Sequence, residues 1–194
     1  MNIKNAITAT AMLVASNISF ADQLFHPVTG DLVLDTDTAE YSSSCTNNEL
    51  SLNDDGSMDL VYNNFNVIGG TPEFDKTCQF KIKLNVPSGW IVRVTTEAAI
   101  GGNYVAPALV SFQHEVAGKV RQAAFNYFPA GFNSYVLNQE LDHIGHSVCN
   151  EETMTLKTVS NIVALSNGAF VNVNNGAIDG ETTAWRYHFQ FDPC

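Results

Sequence analysis

The chain has 194 residues, nine Lys and Arg against twenty Asp and Glu, and a formal net charge of −11 with neutral histidines. That balance argues against nucleic acid and anionic membrane surfaces as partners, and it favours solubility and cation binding. Hydrophobic residues at 45% with only 15% charged residues exclude a disordered chain and predict a globular core.

The chain begins with the marks of an export signal. Lys4 supplies a basic start, residues 6–14 form an apolar run, and Ser19-Phe20-Ala21 places small residues at −3 and −1 of a cleavage site. Cleavage after Ala21 leaves residues 22–194 as one domain, secreted or periplasmic. The apolar run is too short to span a bilayer and meets Asp22 at once, and no other segment has the length and apolarity of a membrane span.

Four cysteines remain: Cys45, Cys78, Cys149 and Cys194. An even count in an exported chain predicts two disulfides, for which three connectivities exist. A zinc site would need close pairs such as C-x-x-C, and the chain has none.

Residues 22–44 are largely polar, with an apolar patch at Leu32, Val33 and Leu34, which predicts a short edge strand followed by a Ser-rich loop. A brief strand over 49–52, the turn Asn53-Asp54-Asp55-Gly56 and a strand over 57–65 predict a hairpin. The clearest stretch is 78–90. Cys78, Phe80, Ile82, Leu84 and Val86 alternate with polar residues, and Pro87-Ser88-Gly89 then turns the chain into a second alternating run from Trp90, which predicts a hairpin with a cysteine on its first strand. Gly101-Gly102-Asn103 predicts another turn. Strands follow over 107–116 and 120–128, separated by Gly118, and Pro129-Ala130-Gly131 breaks the second.

Residues 133–148 are the least regular part, with a short helix through Leu137, Leu141 and Ile144 as one reading. Residues 153–165 are rich in β-branched residues and predict a strand, Asn167-Gly168 marks a turn, and 169–173 is a further strand. Residues 174–181 read as a loop. Residues 184–191 close the chain with Trp185, Tyr187, Phe189 and Phe191 on one face. Nine or ten short strands, no internal repeat and no linker predict an all-β, single-domain antiparallel β-sandwich, jelly-roll-like, with two disulfides.

The cysteine contexts carry a resemblance. A Cys lies near the start of the predicted domain. Lys-Thr-Cys-Gln heads the 78–90 stretch, which ends in Pro-Ser-Gly-Trp. A Gly-Gly-Asn-Tyr stretch and a central Ser-Val-Cys-Asn-Glu-Glu follow, and the chain ends in Trp-Arg-Tyr-His-Phe-Gln-Phe-Asp-Pro-Cys. From Cys45 to Cys194 this layout resembles the secreted family called domain of unknown function 4360. The chain departs from it at Ser44-Cys45-Thr46, where the family usually has glycine and proline. The resemblance implies export, a β-rich fold and paired cysteines, and it implies no catalytic residue.

The expected pairing is Cys45 with Cys78 and Cys149 with Cys194. Sequential strands usually lie side by side, so the first two cysteines, flanking two strands and a loop, can reach the roughly 5.5 Å Cα separation that a disulfide needs. A bond from Cys149 to Cys194 ties down the carboxy terminus. The opposing pattern joins Cys78 to Cys149 across the core.

Candidate chemistry is sparse. His143-Ile144-Gly145-His146 spells a motif of nucleotidyl-transferring synthetases, but those need a large α/β domain. The two histidines, with Glu140 and His114, are a candidate transition-metal set against a background of ordinary surface histidines. Asp35-Thr36-Asp37, and Asn53-Asp54-Asp55-Gly56 with Asp59, cluster oxygen ligands suited to a structural calcium ion. Neither stretch has the spacing of a twelve-residue calcium loop, and ordinary acidic turns are the plainer reading. No G-x-S-x-G element occurs. Trp90 and Trp185 fall on apolar faces and read as core.

The leading functional reading is a secreted noncatalytic β-sandwich that acts by binding or by structure, without cofactor, its partner a glycan or a protein surface. One alternative is a carbohydrate-binding or adhesin-like module using loop aromatics such as Tyr104, Tyr127 or Tyr135. The other is a secreted hydrolase with an unrecognised site. An exposed row of aromatics would mark the former, and two facing carboxylates in a deep cleft the latter.

Overall fold

The structure, a computed structural model, describes residues 23–24, 32–45, 49–63, 65–173 and 184–194, with side chains at 38–45, 49–63, 65–121, 124–173 and 184–194. The expected export signal and the expected 174–181 loop lie outside the described residues, as do the side chains of Asp35 and Asp37. Among the described residues there is no α-helix, and no helix long and apolar enough to cross a membrane.

Two antiparallel sheets face one another. The first runs β1 (Gln23–Leu24), β2 (Leu32–Tyr41), β6 (Asp75–Asn85), β11 (Thr153–Ala164), β8 (Ala108–Val116), β9 (Lys119–Phe128), numbered in chain order and given in spatial order. The second runs β3 (Glu49–Leu52), β4 (Met58–Val61), β13 (Ala184–Pro193), β7 (Trp90–Val105), β12 (Phe170–Val173), β5 (Phe65–Ile68). β10 (Phe132–His146) pairs with β7 on the side away from β13 and β12.

Strict alternation decides which side chains enter the sandwich. Along β8 and β11 every second residue is buried, so Val110, Phe112 and Val116 meet the same interior as Met154, Leu156 and Ile162. Phe80, Ile82 and Leu84 of β6 enter from the same sheet, and Val92, Val94, Trp185 and Tyr187 from the other. Each large apolar side chain buried this way stabilises by roughly 1.5–3 kcal/mol. Among the described residues, the polar side chains buried on the inward faces of the strands include His114, Thr158 and Ser160, and Thr96 opposite them. Their partners are mostly tyrosines, with the Thr158 hydroxyl bonded to Tyr187 and to His114, and Ser160 bonded to Tyr62.

Both disulfides form as expected, with Cα separations of 5.2 Å for Cys45–Cys78 and 5.8 Å for Cys149–Cys194. The route to the first differs from the expected one. The strands between Cys45 and Cys78 belong to the opposite sheet, and it is β2 that lies beside β6, with Tyr41 against Phe80. A short 3₁₀ turn over Ser43–Cys45 then delivers Cys45 to Cys78. Cys149 and Cys194 follow β10 and β13, which flank β7, so they meet across its end, where the Cys194 N–H donates to the Gly89 carbonyl.

Several expected features are corrected. The 78–90 stretch is not a hairpin: β6 lies in the first sheet and β7 in the second, so Pro87-Ser88-Gly89 carries the chain from one sheet to the other. Residues 35–41 are not a loop but continue β2, because Glu40 and Tyr41 pair with β6 after an irregularity in register. The 57–65 strand is interrupted: β4 pairs with β13, whereas β5 pairs with β12. Gly101-Gly102-Asn103 is not a turn but the interior of β7. A Cβ on Gly102 would lie 2.0 Å from the Asn172 carbonyl oxygen and 2.9 Å from the Tyr135 ring, so glycine is there for close approach. Residues 133–148 hold no helix; they form β10, whose fifteen residues make one of the longest strands, and the polar residues that hid it face solvent. Gly118 does turn the chain. With Ala117 at φ 48° and Gly118 at φ 75°, both central residues are left-handed, the two-residue geometry that suits the twist of a hairpin.

Candidate functional site

The outward face of the second sheet is built by the residues that alternation sends away from the core. Along β7 these are Arg93, Thr95, Glu97 and Ala99. Register sets partners beside each: Asn138 of β10 and Ala184 of β13 beside Ala99, and Glu140 and Arg186 beside Glu97. Asp59 of β4 lies beyond Arg186. The small side chains of Ala99 and Ala184 lower the floor between these taller neighbours. The result is an open groove of about 1040 Å³ that also reaches Ser51 and Asn53. A smaller hollow of about 220 Å³ shares Glu97 and Glu140 and continues past Thr95 to Asp142 and His188.

The polar groups of the groove are held in place. The Arg186 guanidinium grips Asp59 with two bonds, Nε to Oδ1 at 2.8 Å and Nη2 to Oδ2 at 3.0 Å, a forked pair that fixes orientation as well as charge. Its Nη1 stands 3.8 Å from Glu97 Oε1, and His188 Nε2 is 3.3 Å from the same oxygen. The Asp59 hydrogen bond pushes the Arg186 pKa further up, so the guanidinium stays charged. Thr96 Oγ1 donates to the Arg186 carbonyl at 2.8 Å and anchors the strand beneath. The groove therefore presents carboxylates, a guanidinium and amides as planar groups able to pair with vicinal hydroxyls. Glu97 and Glu140 sit side by side on one floor, not across a cleft, so they do not flank a bond from two faces as glycoside hydrolysis requires.

The residues singled out from sequence are dispersed. Tyr104 and Tyr135 lie on strands, not loops. Tyr104 stacks on Phe128 with ring centroids 4.1 Å apart, and Tyr135 is buried, its hydroxyl donating to the Asn172 carbonyl at 2.7 Å. Tyr127 is on β9, exposed, and it stands with exposed Phe125 on the outer face of the first sheet, opposite Leu109 and Ser111. Trp185 is in the core, whereas Trp90 is only half-buried.

His143 and His146 do come together. Between Leu141 and Gly145 the register with β7 shifts, Thr96 and Val94 being their partners, so β10 bulges by two extra residues there. The bulge brings His146 Nδ1 to 3.2 Å from His143 Nε2. His114 does not join them. It is fully buried, 3.2 Å from the Tyr187 hydroxyl and 3.3 Å from Thr158 Oγ1, and burial pushes its pKa down to about 3. Among the described residues no group of three His, Cys, Asp or Glu is placed to hold a metal ion. In the acidic turn Asp55 accepts from the Ser57 hydroxyl at 2.6 Å and the Ser57 N–H at 2.9 Å, which hold its carboxyl below the usual range. Asp59 is engaged by Arg186.

Sequence reading missed Asp59, Glu97, Asn138, Glu140 and Arg186 as a group. The only signal was their position as the polar partners in alternating runs, and the pairing of β7 with both β10 and β13 is what gathers them.

The fold and this face define a disulfide-bonded, two-sheet β-sandwich with an open polar groove on one sheet. No family model and no curated protein matches the chain. Among solved structures, the chain is similar to the carbohydrate-binding module TmCBM61 in complex with beta-1,4-galactotriose, at 8% identity, over 82% of this chain and 85% of that one, with a TM-score of 0.24.

Proposed function

We propose that the chain is an exported, noncatalytic binding protein whose groove on the second sheet holds a glycan chain. The observation that carries this reading is the pre-set array of Arg186, Asp59 and Glu97 on an open, elongated floor, with Asn138 and Asn53 beside it. Sugars offer adjacent hydroxyls that planar carboxylates, amides and guanidinium groups bond in pairs. A groove open along its length accepts a chain. The two disulfides agree with export to an oxidising compartment, and the likeness to the domain of unknown function 4360 family belongs to the same reading.

A glycan array probed with the purified protein tests this, followed by titration of the best ligand into Glu97→Ala and Asn138→Ala variants. About a tenfold or greater loss of affinity is expected for Glu97→Ala, since a hydrogen bond to a charged group is worth about 1.5–3 kcal/mol, and about a fivefold loss for Asn138→Ala, whose neutral amide bond is worth about 1 kcal/mol. Full binding by both groove variants, with loss in Tyr127→Ala, would move the site to the aromatic pair on β9. Binding of no glycan at all would end the proposal.

A further inference from the structure

The groove is polarised. Its middle carries Glu97, Glu140 and Asp59, with Arg186 beside Asp59 and Glu97 and His188 beside Glu97, and the hollow beyond adds Asp142. Past that hollow the sign reverses. Arg93 follows Thr95 on the outward row of β7, and His146 stands directly beside Arg93 in register. The β10 bulge sets His143 against His146. Gly145, between them in the chain, packs so closely on Val116 that a Cβ there would be 2.5 Å from the Val116 Cβ. This contact brings in the β8–β9 hairpin, where Lys119 pairs with Val116 and Arg121 with His114.

Three of the chain's nine Lys and Arg and two of its five His thus gather at one end of a strongly acidic protein. Lys119 and Arg121 are exposed and form no ion pair among the described residues; Arg93 is bound to Asp192. Burial holds the His143 pKa down, helped by the neighbouring His146 and then by the charges of Arg93, Arg121 and Lys119. Of the acidic groups around this cluster, Asp142 precedes His143 in the chain, Asp192 is bound to Arg93, and Glu115 of the hairpin is paired with Lys157.

We propose that this basic end takes one acidic group, a uronate carboxylate, of the glycan in the groove, so that the ligand is a mostly neutral chain carrying a single acid at one end. This rests on the glycan-binding reading of the groove. Lys119 and Arg121 supply free donors of the right sign, and the histidine pair supplies ring nitrogens beside them. The acidic middle of the groove repels a second anionic sugar. Charge therefore sets both the class of ligand and the direction in which it lies.

The test is a calorimetric titration with a neutral oligosaccharide ending in one uronic acid and with the same oligosaccharide after reduction of its carboxyl. The wild-type protein should bind the acidic chain about tenfold more tightly at low salt, and the advantage should shrink as salt is raised. In Lys119→Glu/Arg121→Glu the advantage should vanish while affinity for the reduced chain is unchanged. Lys119→Gln/Arg121→Gln provides the same comparison without a charge reversal on the hairpin. Equal binding of the two oligosaccharides, still sensitive to Glu97→Ala, would overturn the inference and leave the groove reading intact. Tighter binding of a chain with a uronate on every sugar would also overturn it. Failure of both oligosaccharides and of every neutral glycan would remove inference and reading together.

Discussion

Glu97 of β7 and Glu140 of β10 stand directly opposite each other on the outward face of an antiparallel strand pair. Like charges in that position destabilise, by an amount comparable to the roughly 0.2–1 kcal/mol that favourable pairs contribute. Glu97 is relieved on one side by Arg186 and His188, and Glu140 adds its charge without such a partner in the groove. Glu140→Gln is therefore expected to raise stability by about 0.5 kcal/mol while weakening glycan binding, a trade seen where a site is built against stability. Urea denaturation together with a binding titration checks it. A variant less stable than wild type would refute the charge argument.

Gly102→Ala is expected to cost about 1–3 kcal/mol, the range for forced overpacking. The added methyl would meet the Asn172 carbonyl and the Tyr135 ring, and the Tyr135 hydroxyl bond to that carbonyl would be lost with it. A melting temperature unchanged from wild type would mean that β7 and β12 do not approach as closely as described.

His114 makes stability depend on acid. In the folded chain burial depresses its pKa to about 3, whereas an unfolded histidine titrates near 6.5. Below about pH 6.5 the unfolded chain takes up a proton that the folded one refuses. The contribution is thus complete above pH 6.5 and is lost progressively as pH falls toward 3, to a total on the order of 5 kcal/mol. His114→Gln removes this titration. Urea midpoints measured from pH 7 to pH 4 should fall more steeply for wild type than for the variant, and parallel slopes would count against the buried, neutral imidazole.

Cys194→Ser opens a loop of sequence separation 45. The chain-entropy account assigns such a closure about 4 kcal/mol, a large part of the roughly 5–15 kcal/mol of a whole domain. A lowered melting temperature and one free thiol at Cys149 are expected. Peptide mapping of the wild type without reductant should recover Cys45 joined to Cys78, and a Cys78–Cys149 peptide would contradict the structure.

The strands with strict alternation were legible in advance. β6, β8, β11 and β13 each announce which face is buried, because a period of two leaves one assignment for an apolar set, whereas the hairpin expected over 78–90 was wrong, since nothing local says that β6 and β7 join opposite sheets. β10 was not legible. Asn133, Ser134, Asn138, Gln139 and Asp142 dilute its pattern, and it is held as a strand by its long pairing with β7. Gly102 misled for a related reason: a glycine chosen for close approach looks, in sequence, like one chosen for a turn.

The residue order by itself determined the fold class, the paired cysteines and the burial of Trp185, since these follow from local periodicity, an even cysteine count and apolar character. Tertiary structure alone decided the groove and its basic end. Asp59, Glu97, Glu140 and Arg186 come from four strands far apart in the chain, and Arg93, Lys119, Arg121, His143 and His146 from three, β7, β9 and β10. Only strand order and register set which of them are neighbours, and no spacing along the chain encodes an adjacency made by non-local backbone hydrogen bonds.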